Sequence, residues 1–393
     1  MHKATTSNKK HVLIIPSWYP EKAGDVGGSF FREQAIALKK RGYTVGVIAP
    51  MFRSVRNIKG LFIKPYGYRY QDDAGVNTYR YFSISIPKLS RIARARWVNS
   101  GLELYKKYVE RFGVPDVIHV HSMINAGFVA WTIRDKFDIP YVITEHSTAF
   151  ARGLVSEEDL RDLKPVIEAS SFNIAVSNEF AKLLREKTGI TTWRYIPNIV
   201  NDDFISSQLT SSGSGFGFVN ICLLDKKKKL DVLIKSFARA FKGNKEITLT
   251  IGGDGPERAY LERLAKQLDV ESQVNFLGML TRERVKEEVS KADAFVLTSE
   301  YETFGVVVVE ALALGKPVIA TRCGGPESIV TDEVGYLVDV NDVEQMSSAM
   351  NELYRNKEKF EPAKIKQYCI DNFSEEAVID RLAAVYSLVT NEK

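Results

Sequence analysis

The sequence predicts an α/β fold built from two doubly wound, Rossmann-like domains in tandem, facing an interdomain cleft. Three observations carry this. Short apolar runs of strand length alternate with helical patterns from His11 to Leu297. A Ser- and Gly-rich stretch after Ser206, QLTSSGSGFG, separates two such series. And 393 residues exceed what one core holds, since single cores stop growing near ~250–300 residues. With 45% hydrophobic and 26% charged residues, the chain has far too much apolar material for a disordered polymer.

In order, His11–Ile15 is an apolar run ended by Pro16, and Ala35–Leu38 belongs to a helical pattern that stops at Arg41-Gly42. Thr44–Ala49 alternates as a strand. Val117–Val120 reads as a strand, Gly127–Lys136 as a helix, and Tyr141–Thr144, Phe172–Val176 and Arg194–Ile196 as further strands of a parallel sheet. Beyond the linker the alternation restarts: strand Val219–Leu224, helix Leu230–Phe241, strand Ile247–Ile251, helix Glu257–Leu268, strand Val274–Leu277, helix Arg282–Lys291, strand Ala294–Leu297. Thr303-Phe304-Gly305 then opens a helix to Leu314, capped by Gly315. Its four consecutive valines favour a strand on local rules, and the flanking EALALG argues for the helix. Glu375–Val389 is amphipathic, with Val378, Leu382, Val385 and Leu388 on one stripe and Ser374 as its cap.

Several classes fall away. The longest apolar stretches, His11–Pro20 and Phe304–Ala320, are too short or carry Glu310 and Lys316, so neither spans a bilayer as a helix. MHKATTSNKK followed by an apolar run broken at Pro16 disfavours a signal peptide, and a cytoplasmic location is expected, with peripheral attachment to the inner face of the membrane a further expectation. Cys222, Cys323 and Cys369 are odd in number and far from histidine at ligand spacing, which excludes disulfide scaffolds and zinc modules. Neither Gly-x-Gly-x-x-Gly nor Gly-x-x-x-x-Gly-Lys-Ser/Thr occurs, so simple dehydrogenase and kinase readings lose their main support.

Charge is concentrated. Residues 51–111 hold thirteen Lys or Arg against four acids, a local +9 within a chain of net +5. The segment interleaves Tyr66, Tyr68, Tyr70, Tyr79 and Tyr81 with basic residues and implies an anionic partner. A phospholipid leaflet or diphosphate-linked lipid fits, as does a merely solvated face; no nucleic-acid module accompanies the patch.

The chemistry sits in two stretches. In Ser299–Val330, Glu302 lies in a loop before the helix that Phe304, Gly305 and Val306 open; free amides there, with no side chain at Gly305, suit a diphosphate. Glu310, further along that helix among Val309 and Ala311, is placed to accept from sugar hydroxyls, because burying a lone carboxylate is expensive. In the second stretch a strand runs into Gly252-Gly253-Asp254-Gly255, which can lie against a nucleotide; plain turn chemistry explains it equally well. His119 and His121 alternate on one strand and face one side, with Glu145-His146 ending the next strand. Those groups fit a sugar pocket better than a metal site, and no Asp-x-Asp triplet occurs to hold a cation on a diphosphate.

Together these stretches resemble the retaining glycosyltransferases of family 4, which have the GT-B fold. The matching residues are Gly27-Gly28, Asp116 to His121, Val176-Ser177, Ile196-Pro197-Asn198, Gly252 to Pro256, the Glu302 and Glu310 pair, Phe304-Gly305, Ala311 to Pro317, Gly324-Gly325 and Phe373-Ser374. The resemblance implies an acceptor-binding domain, 1–205, joined by a returning helix, 374–393, and a nucleotide-sugar domain, 206–373. It implies donor contacts at Gly28, Lys228, Gly253, Gly255, Phe304, Gly305, Val306 and Glu310, with Glu310 on the ribose. Glu302 and His121 would flank the reacting centre, and His119, Glu145 and His146 would line the acceptor side. No metal or cofactor is implied; the donor substrate is a UDP- or GDP-sugar. The chain departs from the family at Leu223, where arginine is usual, and at Lys229, where glycine is usual. The expected activity is transfer of a sugar to a polysaccharide, lipopolysaccharide or lipid-linked glycan. A nucleotide-sugar epimerase of the same fold and a non-catalytic sugar-nucleotide-binding subunit are the alternatives.

Overall fold

The computed structural model describes residues 10–22, 25, 27–54, 66–85, 90–210 and 215–391. Two compact units result. The first comprises the chain up to Val176, Ala181–Ile199 and everything from Ile379; the second comprises Ser177–Phe180 and Val200–Val378.

In the first unit the strands are β1 (His11–Pro16), β2 (Thr44–Ser54), β3 (Gly67–Asp73), β4 (Val76–Ser85), β5 (Val117–His121), β6 (Tyr141–Glu145), β7 (Phe172–Ala175) and β8 (Trp193–Tyr195). They form one sheet in the order β3-β4-β2-β1-β5-β6-β7-β8, parallel except for the β3/β4 hairpin. Val12 to Ile15 of β1 are wholly enclosed. A central parallel strand is covered on both faces, which is why it reads as a continuous apolar run. The chain winds outward from β1 to β4 and then resumes beside β1 at β5. The loops leaving β1 and β5 therefore diverge, and the carboxyl ends of these two strands mark the switch point where open α/β sheets bind ligands. Helices α1 (Ser29–Lys40), α2 (Ser90–Phe112), α3 (Met123–Phe137), α4 (Glu157–Glu168) and α5 (Asn178–Thr188) make the crossovers.

The hairpin of β3 and β4 lay hidden in the aromatic and basic segment. It turns at Ala74-Gly75, both at positive φ (54° and 82°), the geometry that matches the right-handed twist of paired strands. Asp72 Oδ1 accepts from Gly75 N–H at 2.7 Å.

The second unit has β9 (Phe216–Ile221), β10 (Ile247–Gly252), β11 (Val274–Gly278), β12 (Ala294–Leu297), β13 (Val318–Thr321) and β14 (Gly335–Val338) in the order β11-β10-β9-β12-β13-β14. All pair in parallel. Its switch point lies between β9 and β12. Helices α6 (Asp202–Ile205), α7 (Leu230–Phe241), α8 (Arg258–Gln267), α9 (Arg282–Lys291), α10 (Val306–Ala313), α11 (Val343–Arg355) and α12 (Pro362–Phe373) complete it. The valine-rich stretch is helical: Val308 and Val309 are fully buried. Each valine forfeits at most ~0.7 kcal/mol of helix propensity, against roughly 1.5–3 kcal/mol for full burial, so tertiary packing wins.

Four expectations shift. β9 starts at Phe216 and ends at Ile221, so Cys222–Leu224 is loop. The boundary falls at Ile199/Val200, where Val200 N–H donates to Phe373 O at 2.8 Å and ties the chain into the second unit before the expected linker; residues 211–214 of that linker lie outside the described residues. The last helix, α13 (Glu375–Asn391), changes unit at Val378/Ile379, not at 374. Its apolar stripe holds Val378, Leu382, Val385, Tyr386 and Val389, and Leu388 is instead 50% exposed, one position off the period. Ser374 does cap it, accepting from Ala377 N–H at 3.2 Å.

Candidate active site

At the switch point of the second unit, the loop after β9 and the loop after β12 are fastened together by backbone and hydroxyl bonds. Glu300 N–H donates to Lys227 O at 2.7 Å, and Thr298 Oγ1 donates to Lys228 O at 2.8 Å. This brings Lys228 onto Glu302: Nζ donates to Oε1 at 2.5 Å, and Ser299 Oγ donates to the same oxygen at 2.7 Å. The Glu302 backbone is fixed on both sides, by Cys323 O at 2.9 Å and Gly325 N–H at 2.8 Å. Burial alone would lower the Lys228 pKa, but the adjacent Glu302 carboxylate more than offsets it and the value rises above that of a free lysine. Lys228 is thus held as a cation against Glu302.

Three residues beyond Glu302, Gly305 caps α10 at φ 101°, a conformation that a side chain would strain. Val308 N–H already donates to Gly305 O at 2.9 Å, which leaves the amides of Val306 and Val307 at the start of the first turn, at the positive end of the helix dipole. Phe304 is buried against Phe373. Glu310, 5% exposed, forms an ion pair with Arg282 at 3.0 Å. The same guanidinium stands over the Phe204 ring at 5.4 Å.

Gly253 and Gly255 have a packing cause. A Cβ on Gly253 would lie 1.8 Å from Cys222 O, and one on Gly255 2.4 Å from Leu224 O, so this turn sits directly on the loop after β9. The departure at Lys229 also becomes physical: it occupies the left-handed region at φ 51°, where glycine is free of strain. Leu223 is 51% exposed on the same loop.

In the first unit the expected acceptor-side residues cluster at the carboxyl ends of β5 and β6. His119 is spent inside the protein: Nδ1 pairs with Tyr386 Oη of α13 at 2.6 Å and Nε2 with Thr144 Oγ1 at 2.7 Å. Glu145 is equally occupied, accepting from Met123, His146 and Ser147 N–H at 2.8, 2.9 and 2.7 Å. It caps α3 as a buried anion, and burial nonetheless pushes its pKa up. The expectation that His119 and Glu145 meet an acceptor is therefore corrected, because neither keeps an open polar atom. His121 Nδ1 pairs with His146 Nε2 at 3.0 Å, while His121 Nε2 has no partner among the described residues. Burial lowers all three histidines, His119 to about 3 and the other two well below their ordinary value. Gly28 caps α1 in the left-handed region, and a Cβ there would lie 3.1 Å from Trp18 and 3.3 Å from Pro20 and Phe31.

Part of the basic segment is paired inside the first unit. Arg80 is buried, donating to Pro20 O at 3.1 Å and lying 3.9 Å from Asp73, which Arg32 grips at 2.7 and 2.8 Å. Arg94 pairs with Asp159 and Asp162. Outward among the described residues are Arg69, Lys106 on its Glu103 pair, Lys107 over Tyr68 and Arg111 over Tyr70. Arg56, Lys59, Lys64 and Lys88 lie outside the described residues.

Sequence reasoning missed Ser299, Arg282 and Ser17. Ser299 was visible three residues from Glu302, whereas Arg282 comes from another helix. Ser17 Oγ accepts from Asn125 and Ala126 N–H at 3.2 and 3.1 Å, closing the first turn of α3 to an outside anion. Among the described residues no three His, Cys, Asp or Glu cluster as metal ligands, and no helix is long and apolar enough to cross a membrane.

Two parallel, doubly wound units, one with a lysine and carboxylate pair below a glycine-capped helix at its switch point, define a protein of the GT-B type. The family model "Glycosyltransferase Family 4" matches residues 27–204, and "Glycosyl transferases group 1" matches residues 203–371. The chain belongs to the family 4 glycosyltransferases and is a glycosyltransferase. It is 28% identical over 289 residues to N-acetyl-alpha-D-glucosaminyl L-malate synthase of Bacillus anthracis, covering 69% of this chain and 74% of that one. It is 26% identical over 369 residues to the putative teichuronic acid biosynthesis glycosyltransferase TuaC of Bacillus subtilis, covering 89% and 90%. The solved structure of Anabaena HepE in complex with UDP superposes with a TM-score of 0.73 at 19% identity, covering 96% of this chain and 100% of that one.

Proposed function

We propose that this enzyme moves a hexose, with retention at the anomeric carbon, from a nucleoside diphosphate sugar to a growing polysaccharide, lipopolysaccharide or lipid-linked glycan. The observation that carries the reading is the Lys228–Glu302 pair set below the first turn of α10. The diphosphate lies along the amides at Gly305 and Val306, with Lys228 as its fixed countercharge. Each such preorganised donor is worth roughly 10²–10³ in rate. Glu302, already oriented by Ser299, sits beside the donor sugar. Glu310 takes the ribose hydroxyls and shares them with its partner Arg282. Catalysis is then positioning plus stabilisation of the leaving diphosphate, which accepts the proton from the attacking hydroxyl on the same face. In the first unit, His121 Nε2 is buried with no partner among the described residues and is the candidate to meet a sugar hydroxyl. UDP is the first base to test, because HepE was solved with it.

The test is sugar release from UDP-glucose, UDP-N-acetylglucosamine and GDP-mannose without acceptor, with the anomer read by NMR. Slow hydrolysis with retention is expected. Formation of an isomeric sugar in its place supports the epimerase, and tight binding with no turnover supports a binding subunit. Glu310→Ala should lower turnover at least a hundredfold while the fold persists, because its partner Arg282 is half-exposed and can be solvated. Full activity in that variant would reject this placement of the ribose.

A further inference from the structure

β3 is the edge strand of the first unit's sheet, and its alternation turns Tyr68 and Tyr70 to one face, opposite Tyr81 and Tyr79 of β4. The facing rings lie 4.7 and 5.1 Å apart, and Phe112, the last residue of α2, stacks on Tyr70 at 5.7 Å. The last turns of α2 lay two cations on this ladder: Lys107 Nζ stands 5.0 Å from the Tyr68 ring and the Arg111 guanidinium 4.1 Å from that of Tyr70. A cavity of about 580 Å³ opens there, walled also by Arg69, Tyr79 and Glu110. Its size falls in the ~300–1,000 Å³ range of small-molecule sites.

Three properties of the wall define what fits. Its positive charge is unspent: Lys106 pairs with Glu103 at 2.7 Å, but among the described residues no carboxylate lies within ion-pair distance of Arg69, Lys107 or Arg111. Lys107 and Arg111 are four residues apart on one helix, ~5–6 Å between their Cβ atoms, so one anion can bridge them. Their stems rest on rings, which holds the charged heads in place before anything binds. Tyr68 and Tyr70 are 39% and 36% exposed and offer aromatic surface on which the C–H side of a sugar ring packs. The Glu110 carboxylate accepts hydroxyls and opposes a dense polyanion. A bare anion would leave the rings and Glu110 unused, and a neutral sugar would leave the cations unused.

We propose that this cavity binds a saccharide carrying a negative charge, its carboxylate or phosphate bridging Lys107 and Arg111, its ring against Tyr68 and Tyr70, and a hydroxyl on Glu110. Tyr108, between the two cations on α2, pairs with His11, the first residue of β1, at 2.6 Å, so the site stands at the amino ends of the parallel strands. The six residues of β1 span about 17 Å to the opposite, carboxyl ends, where Gly28 and His121 lie. The proposal rests on the glycosyltransferase reading and deepens it: the cavity is a remote hold on a charged glycan, which raises the local concentration of that chain.

The experiment is calorimetry on the full chain with trigalacturonate and glucose 6-phosphate as anionic saccharides, maltotriose as a neutral one and inorganic phosphate as a bare anion. UDP binding is measured on the same samples. At least one anionic saccharide should saturate, about tenfold or more tighter than maltotriose and phosphate, and the tighter of the two names the anion. Lys107→Ala/Arg111→Ala should weaken it at least tenfold and Tyr70→Leu at least fivefold, with UDP affinity unchanged in both variants. All three side chains are exposed, so the variants should fold. The proposal is overturned if neither anionic saccharide saturates in a chain that binds UDP, if maltotriose or phosphate binds as tightly, or if both variants keep full affinity. Loss of phosphatidylglycerol vesicle binding in the double variant with saccharide affinity intact would also overturn it and make the patch a membrane contact. A chain that binds an anionic saccharide but not UDP would instead reject the transferase reading and leave the cavity assignment standing; one that binds neither rejects both.

Discussion

His119, His121 and His146 are buried together beneath Tyr386 and Phe31, and burial keeps them neutral in the folded protein. An unfolded histidine takes up a proton near pH ~6.5. Because the folded values are depressed, the unfolded chain binds more protons in acid, so stability is full above about pH 6.5 and falls as the pH drops, for His119 down to about 3. From pH 6.5 to 5 His119 should cost on the order of 1–2 kcal/mol, and His121 and His146 add in the same direction. His11 is lowered too and adds in the same direction. Glu145 opposes them: its pKa is raised, so acidification favours its folded form. The measurement is urea unfolding followed by tryptophan fluorescence at half-unit steps of pH. All five histidines, like all four tryptophans, lie in the first unit, so the signal and the titrating groups coincide. His119→Asn should lessen the slope whatever it does to absolute stability. Stability constant to within about 1 kcal/mol between pH 6.5 and 5 would refute the idea that these rings are held neutral.

Removing one member of the second unit's ion pair should hurt more than removing both. Lys228→Met strands a mostly buried carboxylate at a cost of about 3–5 kcal/mol, the double variant Lys228→Met/Glu302→Gln should recover most of that in thermal unfolding, and neither should recover turnover of UDP-glucose. Leu223→Arg restores a cation on an exposed loop position; UDP should bind about tenfold to a hundredfold more tightly by calorimetry, and an unchanged affinity would move the diphosphate elsewhere. If the outward Lys107 and Arg111 meet an anionic bilayer, Lys107→Ala/Arg111→Ala should halve sedimentation with phosphatidylglycerol vesicles, and sedimentation with phosphatidylcholine alone should stay low in both proteins.

The parallel core of both sheets was legible because strands covered on both faces announce themselves as uninterrupted apolar runs. His11–Ile15 and Ala294–Leu297 needed no tertiary information. The hairpin Gly67–Ser85 carried a readable signal as well, since its tyrosines recur with period two on either side of Asp73-Ala74-Gly75. Charge drew attention away from that alternation. Ions read one by one from sequence look free, whereas Arg32, Arg80 and Asp73, far apart in the chain, neutralise one another in the fold. The short strands Val318–Thr321 and Gly335–Val338 were missed because four residues give too little periodicity to register.

Site residues divide along the same line. Glu302, Gly305 and Glu310 stand within nine positions of one another, so their relation to a helix start can be reasoned locally. The role of Lys228 needs a second loop, yet sheet topology supplies it: a doubly wound order puts the segment after β9 beside the segment after β12, and a lysine there has a carboxylate to meet. His119 and Glu145 look functional for the same reason that buried polar residues often do, namely that a lone charge or ring nitrogen in a core demands a partner. Their partners are Tyr386, Thr144 and three backbone amides, none of which local spacing can reveal. The distinction between a polar group that completes the fold and one left for a ligand is a count of filled hydrogen bonds. By that count His119 and Glu145 are structural, while His121 Nε2 is left without a partner among the described residues.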